Sequence, residues 1–84
     1  MARISVVHVG EVSRVVLKGR LAAVDLKRLE RACGPALQQR LVPLELDVRQ
    51  LTSCDAAAEA YLERLRARGA SIRGSRAFSH AVEP

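Results

Sequence analysis

Aromatic residues are nearly absent from this chain, which has one Tyr, one Phe and no Trp among its 84 residues. A platform that stacks single-stranded nucleic acid needs several exposed aromatic rings, so the composition argues against that function. The core must instead be built from Leu, Val, Ile and Ala. A chain of this length buries only about 60 to 65 per cent of its unfolded surface, which leaves room for one small domain over residues 1–84 and little for an enclosed active site.

Long apolar runs and paired cysteine motifs are also missing. No stretch approaches the roughly 18 apolar residues that a transmembrane helix requires, and the first residues lack the apolar core of a signal peptide. The two cysteines, Cys33 and Cys54, both stand at apolar positions of predicted helices. Their spacing permits a disulfide without requiring it, and two free buried thiols fit a reducing compartment. We therefore expect a soluble, cytoplasmic protein.

Positive charge is present but spread along the chain. Fourteen Lys and Arg stand against nine Asp and Glu, a formal net charge of +5, which raises the hypotheses of nucleic-acid or anionic-membrane binding. The densest cluster, Arg64, Arg66 and Arg68, alternates with Leu65 and Ala67 and shares its predicted helix with acidic residues. A solvated Arg-rich surface is therefore the favoured interpretation. Nucleic acid is not expected as a partner and stays as an alternative that salt-dependent binding would test.

The first half of the chain predicts a hairpin followed by a helix. Residues 4–9 and 14–18 alternate as two strands, joined by a turn at Gly10 and Glu11. From residue 24 to about residue 39, apolar side chains recur every three or four positions, as in an amphipathic helix that Asp25 caps or complements. Pro35 lacks an N–H and crowds the carbonyl one turn earlier, so we expect a kink or a brief break there.

The second half predicts a strand, a loop, a helix and a last strand. Residues 44–48 alternate as the third strand, and residues 52–55 form a short loop. Gly69 ends the second helix, and residues 70–73 form the fourth strand. Right-handed crossovers make these strands parallel, so the loop lies at the carboxyl edge of the sheet, where open α/β sheets bind ligands. One face of the second helix collects apolar side chains, namely Cys54, Ala58, Tyr61, Leu62 and Leu65.

The predicted fold is therefore α/β: a small mixed sheet of four strands, made of an N-terminal hairpin and parallel crossovers, with two main helices packed on one face. The order is β-β-α-β-α-β. Residues 75–84 predict either a single helical turn that packs Phe78 against the sheet or a frayed tail.

Isolated polar residues give no catalytic or metal-binding pattern. His8 has no second ligand at metal spacing, and Asp47 lies inside a strand, where a structural role is favoured. Asp55 has no neighbouring His or carboxylate to act with, so its simplest role is to cap the second helix. The chain lacks a glycine-rich phosphate loop with Lys and a nucleophile beside a base. We expect neither an enzyme nor a cofactor.

Four short motifs resemble the STAS domain family, the fold of bacterial anti-sigma factor antagonists. They are Gly19-Arg20-Leu21, Leu46-Asp47-Val48, the Cys54 to Ala58 segment and Arg68-Gly69-Ala70, and the resemblance covers roughly residues 6–73. It implies that the chain is shortened at its C-terminal end, where the family has a third helix and a last strand. A sheet edge exposed by that shortening would invite dimerisation.

The resemblance also implies a regulatory site, from which this chain departs. In the family, an anti-sigma kinase phosphorylates a hydroxyl directly after the conserved aspartate, and here Ala56 takes that place. Alanine accepts no phosphate, so we expect a docking surface without the usual switch. Thr52 and Ser53 are nearby hydroxyls, for which turn formation and capping are favoured over phosphorylation. The expected partner-binding residues are Thr52, Ser53, Asp55, Ala56, Ala57 and Glu59.

Two family roles follow from the resemblance. The first is a non-enzymatic regulator of transcription that binds an anti-sigma factor with a kinase-like fold. The second is an accessory subunit of a phospholipid-transport ABC system, which would bind the ATPase subunit. The identity of a copurifying protein would separate them.

Overall fold

The computed structural model describes residues 2–38 and 43–74, which form a four-stranded mixed sheet with two helices. The predicted α/β fold and its order of elements are confirmed. The predictions for residues 75–84 lie outside the described residues. The strands are β1 (Arg3–Val9), β2 (Val12–Leu21), β3 (Leu44–Cys54) and β4 (Ser71–Arg73), and the helices are a 3₁₀ turn (Ala23–Asp25), α1 (Leu26–Gln38) and α2 (Ala56–Ala67).

The strands lie side by side in their sequence order. β1 and β2 form an antiparallel hairpin through Gly10, whose φ of 62° suits the two-residue turn. β2 pairs with β3 in parallel, and β3 pairs with β4 in parallel. The carboxyl ends of β2 and β3 therefore meet at one edge of the sheet, where the 3₁₀ turn and α2 begin.

One face of the sheet carries the core. Side chains from alternate positions of β2 and β3 pack against apolar side chains of both helices, because successive residues of a strand point to opposite faces. The other face of the sheet has no helix over it among the described residues. The core residues with no exposed surface are Val15, Leu17, Leu29, Cys33, Leu46, Val48, Ala58 and Leu62.

Both central strands are longer than their alternation predicted. The register of β2 against β3 shifts between Val16 and Lys18 and again between Gly19 and Arg20. At each shift β3 uses one extra residue, which interrupts the two-residue period that marks a strand in sequence. The strand therefore extends to Cys54, so the expected loop over residues 52–55 and the helical placement of Cys54 are both wrong.

The first helix is divided near its start instead of at its proline. Residues 23–25 form the 3₁₀ turn, and α1 then continues through Pro35, so the expected brief break there is wrong, while the alternative of a kink stays a prediction. Pro35 and Arg31 are both on the exposed side of α1. Because this side of α1 faces away from the core, water can satisfy the carbonyl that loses its hydrogen bond to Pro35, and the helix is kept.

Candidate docking site

Asp55 joins three elements at the carboxyl edge of the sheet. Its Oδ1 accepts a hydrogen bond from the N–H of Ala58 at 2.8 Å, which caps α2, and its Oδ2 accepts one from the N–H of Ala23 at 2.9 Å. The N–H of Asp55 donates to the carbonyl of Leu21 at the end of β2, at 3.1 Å. One exposed carboxylate thus fixes the 3₁₀ turn beside the start of α2. The predicted capping role is confirmed.

Asp25 anchors the 3₁₀ turn on its buried side. Its carboxylate is fully buried and accepts hydrogen bonds from the N–H groups of Ala22, at 3.0 Å, and Ala2, at 3.4 Å. Arg28 completes the site with an ion pair to Oδ1. Burial alone would raise the pKa of Asp25, but the hydrogen bonds from Ala22 and Arg28 outweigh it, so the pKa lies below its ordinary value.

Between these two anchors the chain presents a surface of small side chains, which we call the docking face. Val24, at the middle of the 3₁₀ turn, is 73% exposed. Ala56 and Ala57 are exposed in the first turn of α2. The residues that define the docking face are Ala23, Val24, Ala56, Ala57 and Ala60, all exposed.

The other expected partner-binding residues lie at the end of β3 and in the first turn of α2. Thr52 is exposed near the end of β3. The hydroxyl of Ser53 accepts a hydrogen bond from Nε of Arg20 at 3.4 Å. Glu59 is half-buried in the first turn of α2 and donates its N–H to the carbonyl of Asp55 at 2.9 Å. A groove of about 540 Å³ runs along this rim and is lined by Arg20, Leu21, Ala22, Val24, Asp25, Ser53 and Asp55.

Three residues of the docking face, Ala23, Ala60 and Val24, were not among those expected from the sequence, and the largest of them is Val24. It was placed inside an amphipathic helix, where an exposed valine is unremarkable. Its signal is that it falls outside the apolar period formed by Leu26, Leu29, Cys33 and Leu37. An apolar residue that leaves the period just before an acidic cap marks a turn ahead of the helix.

The two thiols are separate and weakly reactive. Cys33 and Cys54 are both free, with Cys33 buried and Cys54 half-buried. Burial raises the pKa of the Cys33 thiol to about 11. Burial, helped by the nearby carboxylates of Glu59 and Asp55, also raises the pKa of Cys54 to about 11. Both groups are therefore protonated at neutral pH and are poor nucleophiles.

Asp47 and His8 both contact neighbouring side chains of the sheet. Asp47 accepts hydrogen bonds from Nε and Nη2 of Arg49 at 3.0 and 2.8 Å, and these bonds lower its pKa. The ring of His8 lies 3.5 Å from the hydroxyl of Ser13 in the hairpin. Among residues 2–38 and 43–74, no group of three His, Cys, Asp or Glu side chains is placed to hold a metal ion.

Comparison with known proteins gives a fold and no family. No family model matches the sequence, and no curated protein matches it either. A solved structure described as "Crystal Structure Analysis of Mglu" is similar, with a TM-score of 0.63 and 16% sequence identity. The match covers 82% of this chain and 18% of that one, so this chain spans less than a fifth of the protein that it resembles. At this identity the likeness concerns the fold alone.

Within the described part of the chain, neither helix has the length and apolar character to cross a bilayer.

Proposed function

We propose that this protein is a non-enzymatic interaction module of STAS type, which docks a protein partner on the face formed by the 3₁₀ turn and the start of α2. The observation that carries the proposal is the exposed set of methyl groups at Ala56, Ala57 and Val24, held in place by Asp55. Following the resemblance of the sequence, the partner is an anti-sigma factor with an ATP-binding kinase fold, and the interaction takes place in the cytoplasm.

The docking face is suited to close approach. Alanine has no rotatable side chain, so a partner that covers Ala56, Ala57 and Ala60 loses no side-chain entropy from them. Asp55 and Asp25 fix the backbone on both sides of Val24, which lowers the cost of ordering the surface on binding. A preformed surface with an exposed apolar centre and a polar rim has the anatomy of a protein interface.

The same geometry explains why the module would bind without a switch. Ala56 is the first residue of α2, where a phosphate would be stabilised by the positive end of the helix dipole and would bring about two negative charges to the docking face. With a methyl group there, the face keeps one charge state. Thr52 and Ser53 both belong to β3 instead of a free loop: Ser53 pairs with Arg20 of β2, and Thr52 is the extra residue at the second register shift.

The proposal is tested by capture from the native cell with the immobilised protein, followed by identification of the retained proteins. Retention of an ATP-binding anti-sigma factor is the expected result. Retention of an ABC-transporter ATPase would instead favour the transport role. Failure to retain either class would contradict the proposal.

A pair of variants locates the surface. Ala56→Glu places a carboxylate at the docking face and suits the helix dipole, so it should abolish capture without lowering the melting temperature. Ala67→Glu makes the same change on the same side of α2, about 16 Å away along the axis, and should leave capture intact. Ala56→Ser should become phosphorylated by the captured kinase with ATP, whereas the wild-type mass should not change. Equal loss of capture in both Glu variants, or phosphate on wild-type Thr52 or Ser53, would refute this arrangement.

A further inference from the structure

The face of the sheet opposite the helices collects positive charge that is scattered in the sequence. Its position is fixed by alternation: Val15 and Leu17 of β2 point into the core, so Arg14, Val16 and Lys18 point away from it. Residues directly opposite each other in neighbouring strands share a face. The face therefore carries six cations, Arg3, Arg14, Lys18, Arg20, Arg49 and Arg73, against the two acids Glu45 and Asp47.

The two acids are engaged by one half of these cations. Glu45 pairs with Arg14 at 3.2 Å and with Arg73 at 3.3 Å. Asp47 pairs with Arg49 at 2.8 Å. These pairs form a row across β2, β3 and β4 in which three Arg face two acids, so most of its positive charge is compensated.

The other half forms a cluster toward the carboxyl end of β2. Arg3 lies directly opposite Lys18, and Arg20 follows two residues later on β2. All three are exposed, and none takes part in the ion pairs found among residues 2–38 and 43–74. Like charges directly opposite each other, with Cβ atoms about 5 Å apart, destabilise a sheet. An anion bound between Arg3 and Lys18 would remove that repulsion.

We infer that the cluster of Arg3, Lys18 and Arg20 binds the phosphate backbone of duplex nucleic acid, an activity beyond the docking of a protein partner. The face is basic and, among residues 2–38 and 43–74, has no helix over it, which suits contacts to regularly spaced phosphates without base recognition. It carries no aromatic side chain among the described residues, since Tyr61 lies on α2 and packs against the core. That argues against a single strand, which needs stacking rings, and against a membrane surface, which favours interfacial aromatics.

The affinity for duplex nucleic acid should fall steeply as the salt concentration rises. Three phosphate contacts predict a slope of about −2.7 in a plot of log K against log salt, which weakens binding about 40-fold between about 50 and 200 mM salt. For so few contacts we expect a dissociation constant on the order of 10⁻⁵ M at the lower salt concentration.

The test compares two triple variants with equal charge change. Arg3→Glu, Lys18→Glu and Arg20→Glu together reverse the cluster. Lys27→Glu, Arg31→Glu and Arg64→Glu together reverse one Lys and two Arg on the exposed surfaces of α1 and α2. Binding of a labelled random-sequence duplex of about 30 base pairs is measured by anisotropy against salt concentration. The sheet triple should lose binding, and the helix triple should retain most of it.

A milder variant separates a loss of binding from a loss of the fold. Replacing Arg3, Lys18 and Arg20 by Ala removes the cluster without adding charge, and it should weaken binding roughly tenfold or more and flatten the salt slope. Circular dichroism confirms the fold of each variant. The inference is overturned if both Glu triples lose binding equally, or if the wild type shows no binding at about 50 mM salt. Tighter binding to anionic vesicles, or competition by polyglutamate as strong as by unlabelled duplex, would overturn it as well.

Discussion

Replacement of Asp55 should separate its two structural roles. Asp55→Ala loses the cap on Ala58, for which about 1 kcal/mol is typical, and the bridge to Ala23, a hydrogen bond of about 1 kcal/mol. We therefore expect a loss of about 2 kcal/mol in the free energy of unfolding. Asp55→Ser keeps a capping oxygen but is too short to reach Ala23 as well, so it should lose about half as much.

Urea unfolding followed by circular dichroism measures both losses. For a domain of this size the dependence of stability on urea is about 1 kcal/mol per molar, so the midpoint should fall by about 2 M in Asp55→Ala and about 1 M in Asp55→Ser. Glu63→Ala is the control, because it removes another exposed carboxylate from α2 whose ion pair, within residues 2–38 and 43–74, is with Arg66 alone, and its midpoint should hardly move.

The result that would refute this reasoning is an unchanged midpoint in Asp55→Ser, because that variant keeps the cap on Ala58 and loses only the bridge to Ala23. It would mean that the bridge to Ala23 contributes no stability and that the 3₁₀ turn is held by Asp25 alone. In that case the docking face would have no shared anchor. If the bridge is real, Asp55→Ser should also weaken partner capture more than its small loss of stability explains, because Val24 is no longer fixed beside Ala56.

Two further predictions concern the core and the buried acids. Leu62→Ala should cost about 2 to 5 kcal/mol, enough to unfold much of a domain this small, because Leu62 has no exposed surface; an unchanged melting temperature would contradict its burial in the core. The folded state lowers the pKa of both Asp25 and Asp47, so the unfolded chain binds more protons than the folded chain below about pH 4. The urea midpoint should therefore be constant above about pH 5 and should fall as the pH drops below about 4. Asp47→Asn should reduce the fall, and a midpoint that stays constant down to about pH 3 would contradict the assignment.

The order of strands and helices was predictable because the apolar period changes clearly along the chain. Residues 44–48 alternate every two positions, and the segment after Asp55 repeats every three or four. Gly69 was identified as the end of α2, and it has the positive φ, 105°, that such an end requires. Local signals of this kind do not depend on which strands become neighbours.

The length of β3 was not predictable for the opposite reason. Beyond Val48 its strand character depends on pairing with β2, and the two register shifts place the extra residues where no two-residue period is visible. Ser53 is in a strand because Arg20 lies opposite it, and that neighbour is 33 positions away in sequence. The boundary of the candidate site was therefore set by tertiary pairing, and local propensity gave a loop.

The cluster of Arg3, Lys18 and Arg20 was not predictable from the sequence either, because it also depends on strand pairing. A search for runs of Lys and Arg finds nothing at Arg3, Lys18 or Arg20, because alternation in a strand separates residues of one face by an intervening core residue. The antiparallel register of β1 and β2 then places Arg3 beside Lys18, although 15 positions separate them. A surface field of this kind can be computed only once the register is known.

Arg20 connects the two surfaces proposed above. It belongs to the basic cluster, and it also lines the groove beside Val24 and Asp55, where its Nε donates to Ser53. A protein on the docking face and a duplex on the sheet would therefore meet at this one side chain. Since linkage between two ligands is reciprocal, whatever effect the protein partner has on duplex affinity must equal the effect of the duplex on partner affinity. With a single shared residue that coupling should be small, and Arg20→Ala should abolish it while Arg3→Ala should not.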